Sequence, residues 1–179
     1  MRVLFGEYKG RVLKTPRDFA IRPTTGRMRD WICNVLMNEF RGLRICDLFA
    51  GSGTLGIHAL SLGAKNCLFV DKSPVAIRLV KENLRILGIE EKNTIVRKDV
   101  LSFLQGASGL NFDLVFVDPP YDSTDYDELL RAIDKSSFLG DGALLIVEHP
   151  TNTVLPDIGL EVWREKRFGR STIHIYRNE

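Results

Sequence analysis

Between Leu43 and Val147 the chain repeats one unit, a short apolar run followed by a stretch with helical spacing. The runs are Leu43–Asp47, Cys67–Asp71, Thr94–Arg97, Phe112–Asp118 and Ala143–Val147. They are apolar almost throughout and do not alternate with polar residues, so they must be buried on both faces. Strands of that kind, separated by helices, form a mostly parallel sheet with helices packed on both sides. The clearest helix lies after the second run. Ser73 can cap it, Pro74 suits its first turn and Gly88 closes it. A short helix is expected from Asp99 and another from Tyr126 to Ile133. Two alternating segments, Leu160–Lys166 and Ser171–Arg177, joined near Gly169, read as a terminal antiparallel pair and bring the strand count to seven.

The first forty residues have another character. Residues 2–14 alternate around Gly6 and Gly10, which predicts a small β-hairpin carrying Lys9, Arg11 and Lys14. Pro23 disfavours helix at Arg22, and Thr24 or Thr25 can cap a helix whose apolar face is Met28, Ile32, Val35, Leu36 and Phe40. The expected division is therefore an extension over residues 1–23 and a main domain over 24–179.

Composition narrows the class. A length of 179 residues with 44% hydrophobic and 27% charged residues suits one globular domain. No apolar run approaches the length that crosses a bilayer, and the opening Met1-Arg2-Val3-Leu4-Phe5-Gly6 has no apolar signal core. A cytoplasmic protein with no membrane role is expected. Cys33, Cys46 and Cys67 sit in apolar stretches without a Cys-x-x-Cys, so they are expected to be core thiols, with neither disulfide nor metal. The net charge of +2 conceals an asymmetry. Residues 1–30 hold 8 basic and 3 acidic residues, whereas residues 99–160 hold 2 basic and 11 acidic. The basic front suits an anionic partner.

Gly51-Ser52-Gly53-Thr54-Leu55-Gly56 matches G-x-G-x-x-G after a strand and before a helix, and Asp71 ends the next strand 20 positions after Gly51. This is the pattern of a nucleoside-containing cofactor, with Asp71 able to accept from ribose hydroxyls. The flanking Lys72 and Ser73, and Phe49, Ala50 and Ser52 in the turn, join the candidate cofactor set. A dinucleotide and S-adenosylmethionine are both compatible with the glycines. Three features favour the second. Asp47, before the turn, would oppose a pyrophosphate but suit a cationic amino-acid moiety. Asp99, with Val100 beside it, ends the third strand where an adenine amino group can be met. The fourth strand ends in Asp118-Pro119-Pro120-Tyr121.

That last motif suits methylation of an exocyclic amino group, whose lone pair is delocalised into its ring. Asp118, which also borders the cofactor, and the Pro119 carbonyl can accept from the two N–H groups and turn the lone pair outward. Pro120 fixes the backbone, and Tyr121 can stack on the base.

Asp47-Leu48-Phe49-Ala50-Gly51-Ser52-Gly53 with Asp118-Pro119-Pro120-Tyr121 resembles the amino-group methyltransferases of the class I, Rossmann-like fold. Arg2-Val3-Leu4-Phe5-Gly6, Tyr8-Lys9-Gly10-Arg11, Arg22-Pro23-Thr24-Thr25, Arg27-Met28-Arg29, Val147-Glu148-His149 and Lys166-Arg167-Phe168-Gly169 resemble the RsmD group, the 16S ribosomal RNA (guanine-N2) methyltransferases. The resemblance implies a class I fold, S-adenosylmethionine as cofactor and transfer to guanine N2. It also implies 16S rRNA, within a small-subunit particle more than as naked RNA, as the partner. A monomer is expected. Arg2, Lys9, Arg11, Lys14, Arg22, Thr24, Arg27 and Arg29 are then candidate RNA contacts beside the cleft. DNA adenine or a protein amide could be methylated through the same motif. A non-catalytic RNA-binding module and a nicotinamide oxidoreductase complete the alternatives.

Overall fold

The computed structural model describes residues 1–15, 26–120 and 124–179. Its elements are α1 (Gly26–Val35), β1 (Arg44–Leu48), α2 (Thr54–Ser61), β2 (Asn66–Asp71), α3 (Pro74–Leu87), β3 (Thr94–Arg97), α4 (Val100–Leu104), β4 (Phe112–Val117), α5 (Tyr126–Lys135), β5 (Leu139–Pro150), β6 (Glu161–Phe168) and β7 (Ser171–Arg177). A single 3-10 turn, Glu90–Lys92, precedes β3. The strands form one sheet in the order β3-β2-β1-β4-β5-β7-β6. β1 to β5 are parallel, and β7 inserts antiparallel between β5 and β6. The strand order reverses at β1, where the crevice between β1 and β4 opens.

Each face of the sheet carries its own core. Ile45, Phe69, Leu114, Phe116, Ile146 and Ile175 pack under α1, α2 and α3. Cys46, Leu48, Val70, Val115, Val117 and Val147 pack under α4 and α5. The split follows from the two-residue period of a strand, and both sets are apolar because both faces are covered. All three cysteines are buried. Burial pushes the Cys33 thiol up to about 12 and those of Cys46 and Cys67 well up, so none is a ready nucleophile.

The sequence-derived elements differ from the observed ones mainly at their ends. α1 stops at Val35, and Phe40 reaches the core from the turn that follows, with no exposure. β5 runs for 12 residues, well beyond its apolar centre, because β4 and β7 pair with it on either side. The amino-terminal hairpin has only one bridge pair, Arg2 with Val12, supported by backbone bonds from Val3 to Arg11, Gly10 to Val3 and Leu13 to Met1. Its stability comes from docking on helices.

That docking is specific. The Ser61 hydroxyl donates to the Phe5 carbonyl and accepts from Tyr8 N–H at 2.9 Å, while the Ser61 carbonyl accepts from Glu7 N–H at 2.8 Å. Gly6 allows the approach, since a Cβ there would lie 1.8 Å from the Ser61 carbonyl oxygen. His58 holds the next residue back. Its Nδ1–H donates to the Thr54 carbonyl at 2.8 Å, leaving Nε2 to accept from Leu4 N–H at 3.3 Å. Only the neutral ring can make both bonds, and burial lowers its pKa to about 4.

Acid should therefore loosen the extension. His58 has a lower pKa folded than unfolded, so its stabilisation is complete above about pH 6.5 and is lost as the pH falls towards 4. The full loss is at most about 3 kcal/mol. Urea midpoints measured from pH 7 to pH 4 should fall, and His58→Gln should flatten that dependence. An unchanged slope in the variant would remove His58 from this role.

Candidate active site

The parallel order sends β1, β2, β4 and β5 out at one edge of the sheet, and each exit carries an acid. Asp47 lies in β1, Asp71 ends β2, and Asp118 follows β4. Glu148 lies in the last turn of pairing of β5. Alternation from Ile45, Phe69, Phe116 and Ile146 puts all four on the face covered by α1, α2 and α3.

Asp47 is 2% exposed and accepts from Gly56 N–H at 3.0 Å. Burial, then the charges of Asp118 and Asp71, push its pKa well above the usual carboxylate range, against the Gly56 hydrogen bond. Among the described residues, no ion pair reaches Asp47 or Asp71. Among the described residues, the site thus concentrates negative charge with no ion-paired cation against two of its acids.

Asp71 binds backbone with both oxygens. Oδ2 accepts from Gly51 N–H at 2.9 Å and Oδ1 from Ser73 N–H at 2.8 Å. It ties the loop after β1 to the loop after β2 and still has lone pairs for another donor. Phe49, Gly51 and Gly53 take left-handed φ values of 62°, 56° and 76°. For Phe49 this costs of order 1–2 kcal/mol, and the chain folds back tightly there. Ala50 N–H donates to the Val70 carbonyl and Gly53 N–H to the Ala50 carbonyl. The amides of Ala50, Gly51 and Gly53 are therefore spent on protein acceptors and do not cradle a phosphate. Gly56 packs α2 on the sheet, since a Cβ there would meet Phe69 at 2.5 Å and Cys67 Sγ at 2.7 Å.

The other candidates are distributed as follows. Ser73 caps α3 through Ala76 N–H at 3.3 Å, and Lys72 is exposed. Asp99 caps α4, accepting from Ser102 N–H at 3.2 Å, with Val100 buried behind it. Ser52 is buried, and its hydroxyl pairs with that of Thr54 at 2.9 Å. Pro119 is buried, and the Pro120 carbonyl accepts from the Thr124 hydroxyl at 2.8 Å, which holds the chain after the motif. Tyr121, Arg22 and Thr24 lie outside the described residues.

Among the described residues, most of the basic candidates do not converge on this edge. Lys14 does come near, pairing with Glu82 at 3.0 Å. Arg11 instead donates to the Ile86 carbonyl at the far end of α3, a helix of 14 residues spanning about 21 Å. Arg2 donates to the Gly10 carbonyl at 2.9 Å, and Lys9 sits beside it in the same turn. Arg27 is exposed. Arg29 departs most from expectation. It is 5% exposed, its Nη1 lies 2.7 Å from Met1 Sδ, and burial lowers its pKa. It serves as an interior contact beneath the first residue, since helix position 29 faces the core with Met28 and Ile32.

Two contributors escaped the sequence reading. Asn83 is fully buried in α3. Its Nδ2 donates to the Lys14 and Ser52 carbonyls, both at 2.9 Å, and its Oδ1 accepts from Lys14 N–H at 2.7 Å. One amide thereby joins the extension to the glycine-rich loop. A polar residue at an otherwise apolar helical position was its only sequence signal. The second contributor is a histidine pair. His149 Nδ1–H donates to the Pro150 carbonyl, and His149 Nε2 accepts from His174 Nδ1–H, each at 2.8 Å. His174 Nε2 faces Glu165 at 3.4 Å. Burial lowers the pKa of both rings, and the pair ties β5 to β7.

A sheet of this order, with acids at the exits of β1, β2 and β4 around a glycine-rich turn, defines a class I S-adenosylmethionine-dependent methyltransferase. The family model described as conserved hypothetical protein 95 matches residues 1–177, and the chain belongs to that family, the RsmD group. It is 38% identical to YlbH of Bacillus subtilis (strain 168), over 99% of this chain and 98% of that one. It is 30% identical to ribosomal RNA small subunit methyltransferase D of Escherichia coli (strain K12), over 100% of this chain and 90% of that one. The solved structure of yhhF from Escherichia coli superposes with a TM-score of 0.89 at 30% identity, covering 100% of this chain and 98% of that chain.

Asn83→Ala should uncouple the extension from the loop. Each lost bond leaves a buried partner unsatisfied, so the variant should lose about 1–3 kcal/mol by urea unfolding. Calorimetry should also find weaker S-adenosylhomocysteine binding. Unchanged affinity would show that the loop holds its shape without Asn83.

Proposed function

We propose that this protein methylates the exocyclic N2 amine of a guanine in 16S rRNA, with S-adenosylmethionine as methyl donor and a small-subunit particle as substrate. The observation that carries this reading is the place of Asp118-Pro119-Pro120. It follows β4, paired next to β1, so that Asp118 stands opposite the loop that begins at Phe49. The name of the Escherichia coli relative, a small-subunit rRNA methyltransferase, supports the substrate class.

The site residues fit the cofactor. Asp47 and Asp71 form an acidic rim without ion pairs among the described residues, which suits a ligand bearing an ammonium and a sulfonium and opposes a pyrophosphate. Asp71 retains acceptor capacity for ribose hydroxyls, and Asp99, capping with one oxygen, keeps the other for an adenine amine. Bound there, S-adenosylmethionine supplies an electrophilic methyl group. Asp118 and the Pro119 carbonyl then accept from the two N–H bonds of the target amine and orient its lone pair. They also stabilise the positive charge that develops on nitrogen, and one N–H proton then passes to the Asp118 carboxylate and on to water. Buried Pro119 and the Thr124 bond to Pro120 keep both acceptors rigid. Tyr121 stacks on the base, which must first leave its own stack at a cost of a few kcal/mol. Residues 1–23 form the RNA-contacting extension of a methyltransferase domain over 24–179, acting in the cytoplasm as a monomer.

Small subunits from cells lacking the enzyme, incubated with methyl-labelled cofactor, should acquire N2-methylguanosine in nuclease digests of their 16S rRNA. Label confined to adenine or to protein would reject this reading. Asp118→Ala should lower transfer by about a hundredfold to a thousandfold, the range for losing a preorganised charge-stabilising group. It should bind S-adenosylhomocysteine within about tenfold of wild type. Full activity in that variant would remove Asp118 from the chemistry.

A further inference from the structure

We propose that the end of β6 and the β6–β7 turn, through Lys166, Arg167 and Arg170, form a second RNA-docking surface that receives the phosphates flanking the target base. This rests on the rRNA reading above and extends it to a surface remote from the amino-terminal extension.

The topology supplies the placement. β6 runs antiparallel to β7, and β7 antiparallel to β5, so β6 leaves the sheet at the same edge as β4 and β5. Pro150, Ser171 and Phe168 stand in register across the three strands. Three strand spacings separate β4 from β6, about 14 Å. The turn is therefore within a few nucleotides of the Asp118 loop. The extension is less well placed, because Arg11 reaches the opposite end of α3.

The site is also divided along its edge. The exits of β2 and β3, which carry Asp71 and Asp99, form the cofactor half under the proposed reading. A substrate base then enters from the side of β4, β5, β7 and β6. Lys166 and Arg167 of β6 and Arg170 of its turn are exposed cations on that side at the active edge.

Charge and rigidity suit the role. β6 ends the sheet, and Arg164 to Arg167 are exposed along it, as is Arg170 in the turn. Glu165 is the nearby acid, 3.9 Å from Arg167 and 3.4 Å from His174. Lys166 and Arg170 have no ion pair among the described residues. The turn is bolted to the exit of β5: Thr151 N–H donates to the Arg170 carbonyl at 2.9 Å, and the Thr151 and Thr172 hydroxyls meet at 3.0 Å. Phe168 packs edge-on against Trp31 of α1, ring centres 5.9 Å apart. Cations held on a fixed turn bind phosphate with little ordering cost. They also protect an edge strand from pairing with another chain.

The test is Lys166→Ala/Arg170→Ala, compared with Lys65→Ala/Lys135→Ala, which removes equal charge elsewhere on the surface. With undermethylated small subunits and labelled cofactor, the first variant should raise the particle KM about tenfold or more. The slope of log KM against log salt should fall by about 1.5, as for two lost phosphate contacts. S-adenosylhomocysteine affinity and thermal midpoint should match wild type. The control variant should change KM less than threefold. An unchanged KM and salt slope, or equal effects of the two variants, would overturn the proposal. So would a defect seen with intact particles while binding of protein-free 16S rRNA, read by filter retention, equals that of wild type, which would identify a ribosomal protein as the partner. If wild type itself transferred no label to rRNA, the functional reading would have failed instead.

Discussion

Everything at the site depends on one consequence of parallel pairing. Each crossover returns the chain to the same side of the sheet, so β1, β2, β4 and β5 all deliver their last residues to one edge. The acids that end these strands are thereby crowded together. Asp47 feels both Asp118 and Asp71, and its carboxyl is pushed well up as a result of burial and of their charge. A fold that needed only stability would not gather like charges in this way. Under the proposed function, a cationic cofactor relieves the conflict, and the same acidity contributes to selectivity.

The glycine-rich turn shows why motif alone underdetermines ligand. In dinucleotide enzymes such a turn offers free amides to a pyrophosphate. Here Asp71, Val70 and Ala50 take up the amides of Gly51, Ala50 and Gly53. The glycines serve the fold-back and the close contact of α2 with Phe69 and Cys67. Asp47 and Asp71 border this loop with carboxylates, the opposite charge to what a pyrophosphate-binding turn presents.

The extension is tied into the same machinery. His58 and Ser61 hold its first residues on α2, and Asn83 joins Lys14 to the Ser52 carbonyl. The extension and the glycine-rich loop thus share one buried amide. The cations, by contrast, are spread over two regions. Lys9 and Arg11 sit towards the far ends of α2 and α3, and Lys166, Arg167 and Arg170 lie at the active edge.

The sequence by itself determined the layered fold, because apolar runs of strand length separated by helices have few other ways to bury both faces. It also determined the acids and the Asp118-Pro119-Pro120-Tyr121 motif, since their positions at strand ends are local properties. Helix α3 was legible to the residue from Ser73, Pro74 and Gly88. Tertiary structure alone decided what depends on contacts between distant residues. The strand order put Asp118 beside the loop after β1, Arg29 turned into the core, and Asn83 acquired three hydrogen bonds to two other segments. The antiparallel insertion of β7 carried Lys166 and Arg170 to the active edge. Pattern along a chain reports which face a residue prefers, but which neighbours meet it there is set by how the strands pair.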